Sequence, residues 1–208
     1  MNIRIRQQGF TIIELLIATM VFSVVLMLCT YGLLQVGRIY NRGVTNSKTQ
    51  EAARNIIDDV SQTLQFGGGQ VSSALLSNGS APNISTGFCI GGRRYSMLLG
   101  HELSNSSNDH GLVADNFAGT CSGGLQALDL TAPLPANSRE FLSPLMRVAN
   151  LTITDAGNNL WQVTVRVVSG DDDLLNNPAS TNPTCKIQAG SQFCSISELT
   201  TVVQKRIQ

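Results

Sequence analysis

Glu14 is the only charged side chain in residues 10–36 of this chain. About 20 apolar residues are enough for a helix to cross a bilayer. The carboxylate therefore sits where desolvation is most costly, and groups tolerated at such depth have a partner and a task. The upstream residues point to that partner: Arg4 and Arg6, then Gly9, then Phe10. Cutting the chain after Gly9 would free the Phe10 amine, a cation able to neutralise a buried Glu14 on an adjacent copy. Low dielectric strengthens that attraction while desolvation offsets much of it, so the pair acts on register and specificity more than on net stability. Gly9, which has no side chain, suits a narrow protease cleft.

Other chemistry-bearing residues read more plainly. Asp171, Asp172 and Asp173 offer oxygen ligands to calcium, which takes six to eight of them. No spaced D-x-D-x-D-G loop is present, so a solvated turn after a strand is the preferred reading. His101 and His110, near Glu102 and Asp109, lack metal-ligand spacing and read as exposed loop histidines. The four sequons, at Asn78, Asn83, Asn105 and Asn150, are what chance supplies in a chain this rich in Asn, Ser and Thr. No G-x-S-x-G, P-loop or H-E-x-x-H pattern occurs, so neither an enzyme nor a cofactor is expected.

Charge sets further bounds. Lysine and arginine number 14 against 14 acidic residues, and only Arg93-Arg94 and Lys205-Arg206 are adjacent basic pairs. Phosphate contacts need clustered cations, so nucleic acid is not an expected partner. Arg4 and Arg6 precede the apolar run, which keeps the N-terminus cytoplasmic and exports the residues beyond Val36. A secretory signal would carry its small residue after the apolar run, whereas Gly9 lies before it, so cleavage leaves the helix attached. Cys89, Cys121, Cys185 and Cys194 all fall in the exported part, and Cys29 in the apolar run packs as a small hydrophobe. Four cysteines allow three pairings, and proximity favours Cys89–Cys121 with Cys185–Cys194. Absence of a C-x-x-C pair makes them structural disulfides rather than a metal or redox centre.

The elements that position these residues emerge from periodicity. Past the apolar run, Ala53, Ile56, Ile57, Val60 and Leu64 recur at three- and four-residue steps, with Glu51, Arg54, Asp58, Asp59 and Gln62 on the other face. Gly67-Gly68-Gly69 stops the helix. Gly32, Gly37 and Gly43 are points of weakness along it. Residues 71–76 suit a short helix or strand, 94–99 a short strand, and 125–130 alternate as a half-buried strand does. Residues 146–154 and 160–169 form a hairpin around a turn at 155–159, with Trp161, Val163, Val165 and Val167 on one face. A long loop over 170–194 precedes a terminal strand at 199–207.

Basic leader, Gly9, Phe10, Glu14 four residues later and a long apolar helix together resemble the processing and assembly signal of type IV prepilins. The resemblance covers about the first fifth of the chain. It implies cleavage after Gly9 and N-methylation at Phe10 by a prepilin peptidase. It also implies handling by inner-membrane assembly machinery and polymerisation with other pilin subunits through the N-terminal helices. The implied fold is α+β: a long helix packed on an antiparallel sheet head, with the Cys185–Cys194 loop resembling the disulfide-bounded C-terminal region of pilins. The expected division is a leader at 1–9, a transmembrane or filament-core helix at 10–36, its amphipathic continuation at 37–66 and a β-rich head at 67–208. The implied location is the inner membrane with an exported head, then an extracellular filament. Two bridges and residues 185–202 look most like a minor pilin that primes assembly. The alternatives are a type II secretion pseudopilin, a major pilin, which the large loopy head disfavours, and a pilus-borne adhesive head.

Overall fold

The computed structural model describes residues 11–79, 83–121 and 124–206. The chain divides into two compact units, Met1–Asn41 and Arg42–Gln208. Helix α1 (Ile12–Phe66) provides the helix of both.

In the first unit every described side chain through Tyr40 is exposed. The apolar ones are exposed as fully as Ile12 at 82 % and Leu33 at 74 %. Mean hydropathy reaches 2.6 in an 18-residue window with no part of it buried. The hydroxyls are satisfied inside the helix: Thr19 donates to the Leu16 carbonyl at 3.0 Å, Ser23 to Thr19 at 2.8 Å and Thr30 to Leu26 at 2.8 Å. A helix that meets its own polar demands while presenting apolar side chains all round is one suited to lipid or to packing among like helices.

In the second unit α1 buries Ala53, Ile56, Ile57, Val60 and Leu64, the stripe expected from the spacing, and Thr49 and Ala52 as well. It ends where the glycines begin. The Gly67 N–H closes on the Thr63 carbonyl at 2.7 Å, and Gly68 and Gly69 take left-handed φ of 54° and 74°, a conformation that glycine adopts without Cβ strain.

Two antiparallel sheets meet this stripe. One is a meander of β1 (Val71–Ser72), β2 (Thr86–Ile90), β3 (Arg93–Met97), β4 (Leu112–Asn116) and β5 (Ser138–Glu140) in that order. The other orders β10 (Ser195–Gln204), β7 (Leu160–Ser169) and β6 (Met146–Gly157). A small ladder of β8 (Leu175–Asn176) and β9 (Thr184–Cys185) lies in the long C-terminal loop. Ile56, Val60 and Leu64 share one core with Phe88, Tyr95 and Leu112 from the first sheet and Val148, Val163 and Val165 from the second. The architecture is the α+β arrangement expected of a pilin-like chain.

Several elements differ from the sequence reading. Residues 125–130 form no strand: burial falls at Ala127 and Leu130, a three-residue step. Gln126 makes only an isolated bridge to Leu76. The segment instead runs along the β1–β2 connection, with Leu76 donating to Leu125 and Ala127 to Leu76, both at 2.9 Å. Strand β6 runs on to Gly157 because the turn is a two-residue one, Asn158 and Asn159 at φ 55° and 61°, the pattern that matches strand twist. Strand β10 starts at Ser195, earlier than expected, since Ser195 and Ser197 are small enough to be buried opposite Ser169 and Val167. The far face of the β6–β7 hairpin is also covered: Ala149 and Val168 pack with Leu174, Leu175 and Cys194 from the C-terminal loop.

Candidate functional site

The helix start is built by a reciprocal cap. One carboxylate oxygen of Glu14 accepts the Thr11 backbone N–H at 2.9 Å and the Thr11 hydroxyl at 2.8 Å. The Glu14 N–H donates back to Thr11 Oγ1 at 3.3 Å. Thr11-Ile12-Ile13-Glu14 is thus a capping box, which satisfies amides that a helix N-terminus leaves open. Its signal in the sequence is T-x-x-E, a pattern distinct from the charge and processing signals that mark Glu14 and Gly9. The Thr11 N–H belongs to the peptide bond after Phe10, so a cut after Gly9 leaves the cap intact. The cap holds the carboxylate against Thr11, the first described residue. Gly9 and Phe10 themselves lie outside the described residues.

The head carries the remaining candidates. Cys89–Cys121 and Cys185–Cys194 are bonded, with Cα separations of 5.7 and 5.9 Å, while Cys29 is free and exposed. The first bridge packs with Leu75 and Ala127, and the second closes the C-terminal loop. Asp172 is engaged by a cation of the chain itself, pairing with Arg147, and opens a 3₁₀ turn, Asp172–Leu174. The Asp171 and Asp173 side chains are exposed, and the Asp173 carbonyl accepts Lys186 Nζ at 2.8 Å and Gln188 Nε2 at 2.9 Å. Among the described residues no group of three or more His, Cys, Asp or Glu side chains is placed to hold a metal ion.

The histidines are not the exposed loop residues that the sequence suggested. His101 Nε2 meets Asp109 at 2.5 Å, and the two side chains are 32 % and 17 % exposed. His110 Nδ1 lies 3.7 Å from Glu140. They go to separate carboxylates, because β4 and β5 bring Glu140 under the 110–112 backbone while Asp109 folds back on Ser104. Glu140 accepts four backbone N–H groups, from Gly111, Leu112, Phe141 and Leu142. Burial outweighs them and holds its pKa above the ordinary carboxylate range.

Asp59 also departs from its expected outer face. Its carboxylate takes Arg93 at 2.9 Å and the Tyr95 hydroxyl at 2.7 Å, fastening α1 to β3. The Tyr95 hydroxyl further meets Thr63 Oγ1 at 2.9 Å. Its pKa is pushed well above the usual tyrosine value, first by burial and then by the Asp59 charge. No one-dimensional pattern marks this contact, since it depends on how the helix is rotated against the sheet.

Residues 4–30 match the family model described as the prokaryotic N-terminal methylation motif. No curated protein and no solved structure matches the chain. The motif implies processing by prepilin peptidase and assembly with pilins. Together with an exposed apolar helix followed by antiparallel sheets, it supports a type IV prepilin-like protein.

Proposed function

We propose that this chain is a minor subunit of a type IV pilus that primes filament assembly or decorates the fibre. Residues 1–9 are a leader removed by prepilin peptidase, Phe10 is the N-methylated first residue, and residues 10–36 serve first as membrane anchor and then as filament core. Residues 37–66 continue the helix into the exported head at 67–208. The single observation that carries the reading is Glu14 held at the start of a helix whose apolar side chains are uncovered through Tyr40. Such a helix needs lipid or like helices around it, and its one acid meets the liberated amine of the next subunit as each copy joins. The head is a display and spacing element without catalytic chemistry.

Deletion of the gene and a count of surface fibres test this directly. Fewer or shorter fibres, restored by the parent chain, are expected. Intact fibres together with folded cargo retained behind the outer membrane would instead make the chain a type II secretion pseudopilin. Intact fibres that no longer adhere would make it a binding head. Mass spectrometry of the mature subunit is expected to begin at a methylated Phe10, and material still carrying residues 1–9 overturns the proposal.

A further inference from the structure

Arg147 is the largest fully buried side chain in the described structure, 1 % exposed at the start of strand β6. A guanidinium stays charged at any pH the protein meets, so burying it requires matching acceptors. Four oxygens surround it. Nη2 donates to Glu102 at 2.5 Å and to the Gly170 carbonyl at 2.9 Å. Nη1 donates to Asp172 and, at 3.4 Å, to the Gly100 carbonyl. Those acceptors come from two segments far apart in sequence, the connection after β3 and the entry to the C-terminal loop.

The backbone around this cage is fixed from both sides. The Gly100 N–H donates to the Val148 carbonyl at 2.8 Å and the Gly170 N–H to the Leu145 carbonyl at 3.0 Å. Gly100 and Gly170 have φ of 75° and 129°, values that other residues rarely adopt. A Cβ at Gly170 would crowd Cys194, and one at Gly100 would crowd Ala179. Leu145 itself is held at φ 66°, an outlying conformation for a bulky residue that persists only where its surroundings impose it.

We infer that Arg147 is a built-in cation that clasps the C-terminal loop to the connection after β3, its guanidinium binding the two carboxylates and two carbonyls that converge from those segments. The oxygen types are those that hard cations select, and two carboxylates opposite one guanidinium leave the cage with a surplus negative charge. Burial and the neighbouring charges of Asp171 and Asp172 keep the Glu102 pKa above its ordinary value in spite of Arg147. The clasp fixes one wall of a cleft of about 580 Å³, where Gly170, Asp171, Leu174 and Phe193 face Lys48 and Glu51 of α1. It also sets the loop that displays Ile187 and Phe193 to solvent. The loop's conformation is therefore independent of metal ions, although three consecutive aspartates stand at its entry.

Hydrogen exchange of the full chain in detergent tests this, with calcium chloride or EGTA added. The parent chain is expected to show the same protection over 169–194 in both. Loss of loop protection in EGTA overturns the inference. Arg147→Gln is expected to speed exchange at least tenfold over 98–104 and 169–176 while β2 and β3 keep their protection, with Arg147→Lys restoring part of it. The Glu102→Ala/Asp172→Ala double variant removes only partly exposed side chains, so it leaves the apolar core filled should Arg147→Gln fail to fold. It is expected to loosen the same two segments. Unchanged exchange there, or an equal rise across the whole head, overturns the clasp.

Discussion

Replacing Glu14 by glutamine separates the two tasks that the structure and the assembly proposal give this residue. Gln keeps an oxygen to accept the Thr11 N–H and hydroxyl, as in other capping boxes, but carries no charge for an incoming amine. Thr11→Ala does the reverse, deleting the cap hydroxyl and leaving the carboxylate. Loss of a threonine N-cap costs about 1 kcal/mol, which at about 1.4 kcal/mol per tenfold corresponds to a roughly fivefold fall in first-turn helix population. Residues 11–40 are exposed, so nothing in the first unit spreads that loss beyond the first turn. The assay compares cleaved subunit in the membrane with subunit in sheared fibres by quantitative immunoblot, with helix content monitored by far-ultraviolet circular dichroism in detergent. Glu14→Gln is expected to be cleaved normally, to keep its helix content and to be missing from fibres as completely as Glu14→Ala. Thr11→Ala should still enter fibres, reduced by no more than about the fivefold of its cap loss. Glu14→Gln entering fibres like the parent would refute the charge-pairing argument and leave Glu14 only its capping role.

Three further outcomes concern the head. Tyr95 has a pKa raised above the ordinary value of about 10, so its neutral form stabilises the fold fully below that pH and the contribution is lost as pH climbs toward the folded-state value. Tyr95→Phe should accordingly flatten the decline of Tm between pH 9 and 11 (a range set by that value of about 10), and an unchanged slope would contradict this. Asp59→Ala removes the carboxylate partner of Arg93 and one of the two side-chain partners of the Tyr95 hydroxyl, and should cost about 2–4 kcal/mol in denaturant titration. A loss under about 0.5 kcal/mol, the range of an ordinary surface substitution, would show that the contact is idle. The Cys185→Ser/Cys194→Ser variant opens a loop of sequence separation 9 and should lose about 2–3 kcal/mol, read as earlier proteolysis within 170–194 while β2–β4 stay resistant.

Local chemistry explains which elements are legible in the residues alone. The apolar run, its single acid and the glycine stop announce a helix by composition and spacing, and the structure ends α1 at Phe66, beside Gly67. The 160–169 strand is legible because its apolar–polar alternation runs unbroken from Trp161 to Val167. The buried stripe from Ala53 to Leu64 is legible for the same reason at helical period. Strands β2, β4 and β5 carry no such signal. They are short, contain Gly or charged residues, and are held by neighbouring strands more than by their own pattern. Residues 125–130 fail in the opposite direction, an alternating pattern that the fold uses as an irregular segment.

Periodicity, charge placement and the Gly9–Phe10–Glu14 spacing establish an apolar N-terminal helix with a prepilin-like start, since each of those signals acts within a few residues of itself. The partners of Arg147, Asp59, His101 and His110 were decided only when loops and sheets came together. Each depends on partners supplied by another part of the chain: the acceptors Glu102 and Gly170 for Arg147, the donors Arg93 and Tyr95 for Asp59. A buried charge is stable only where distant acceptors converge on it, and convergence is a property of the packed chain that no local pattern encodes.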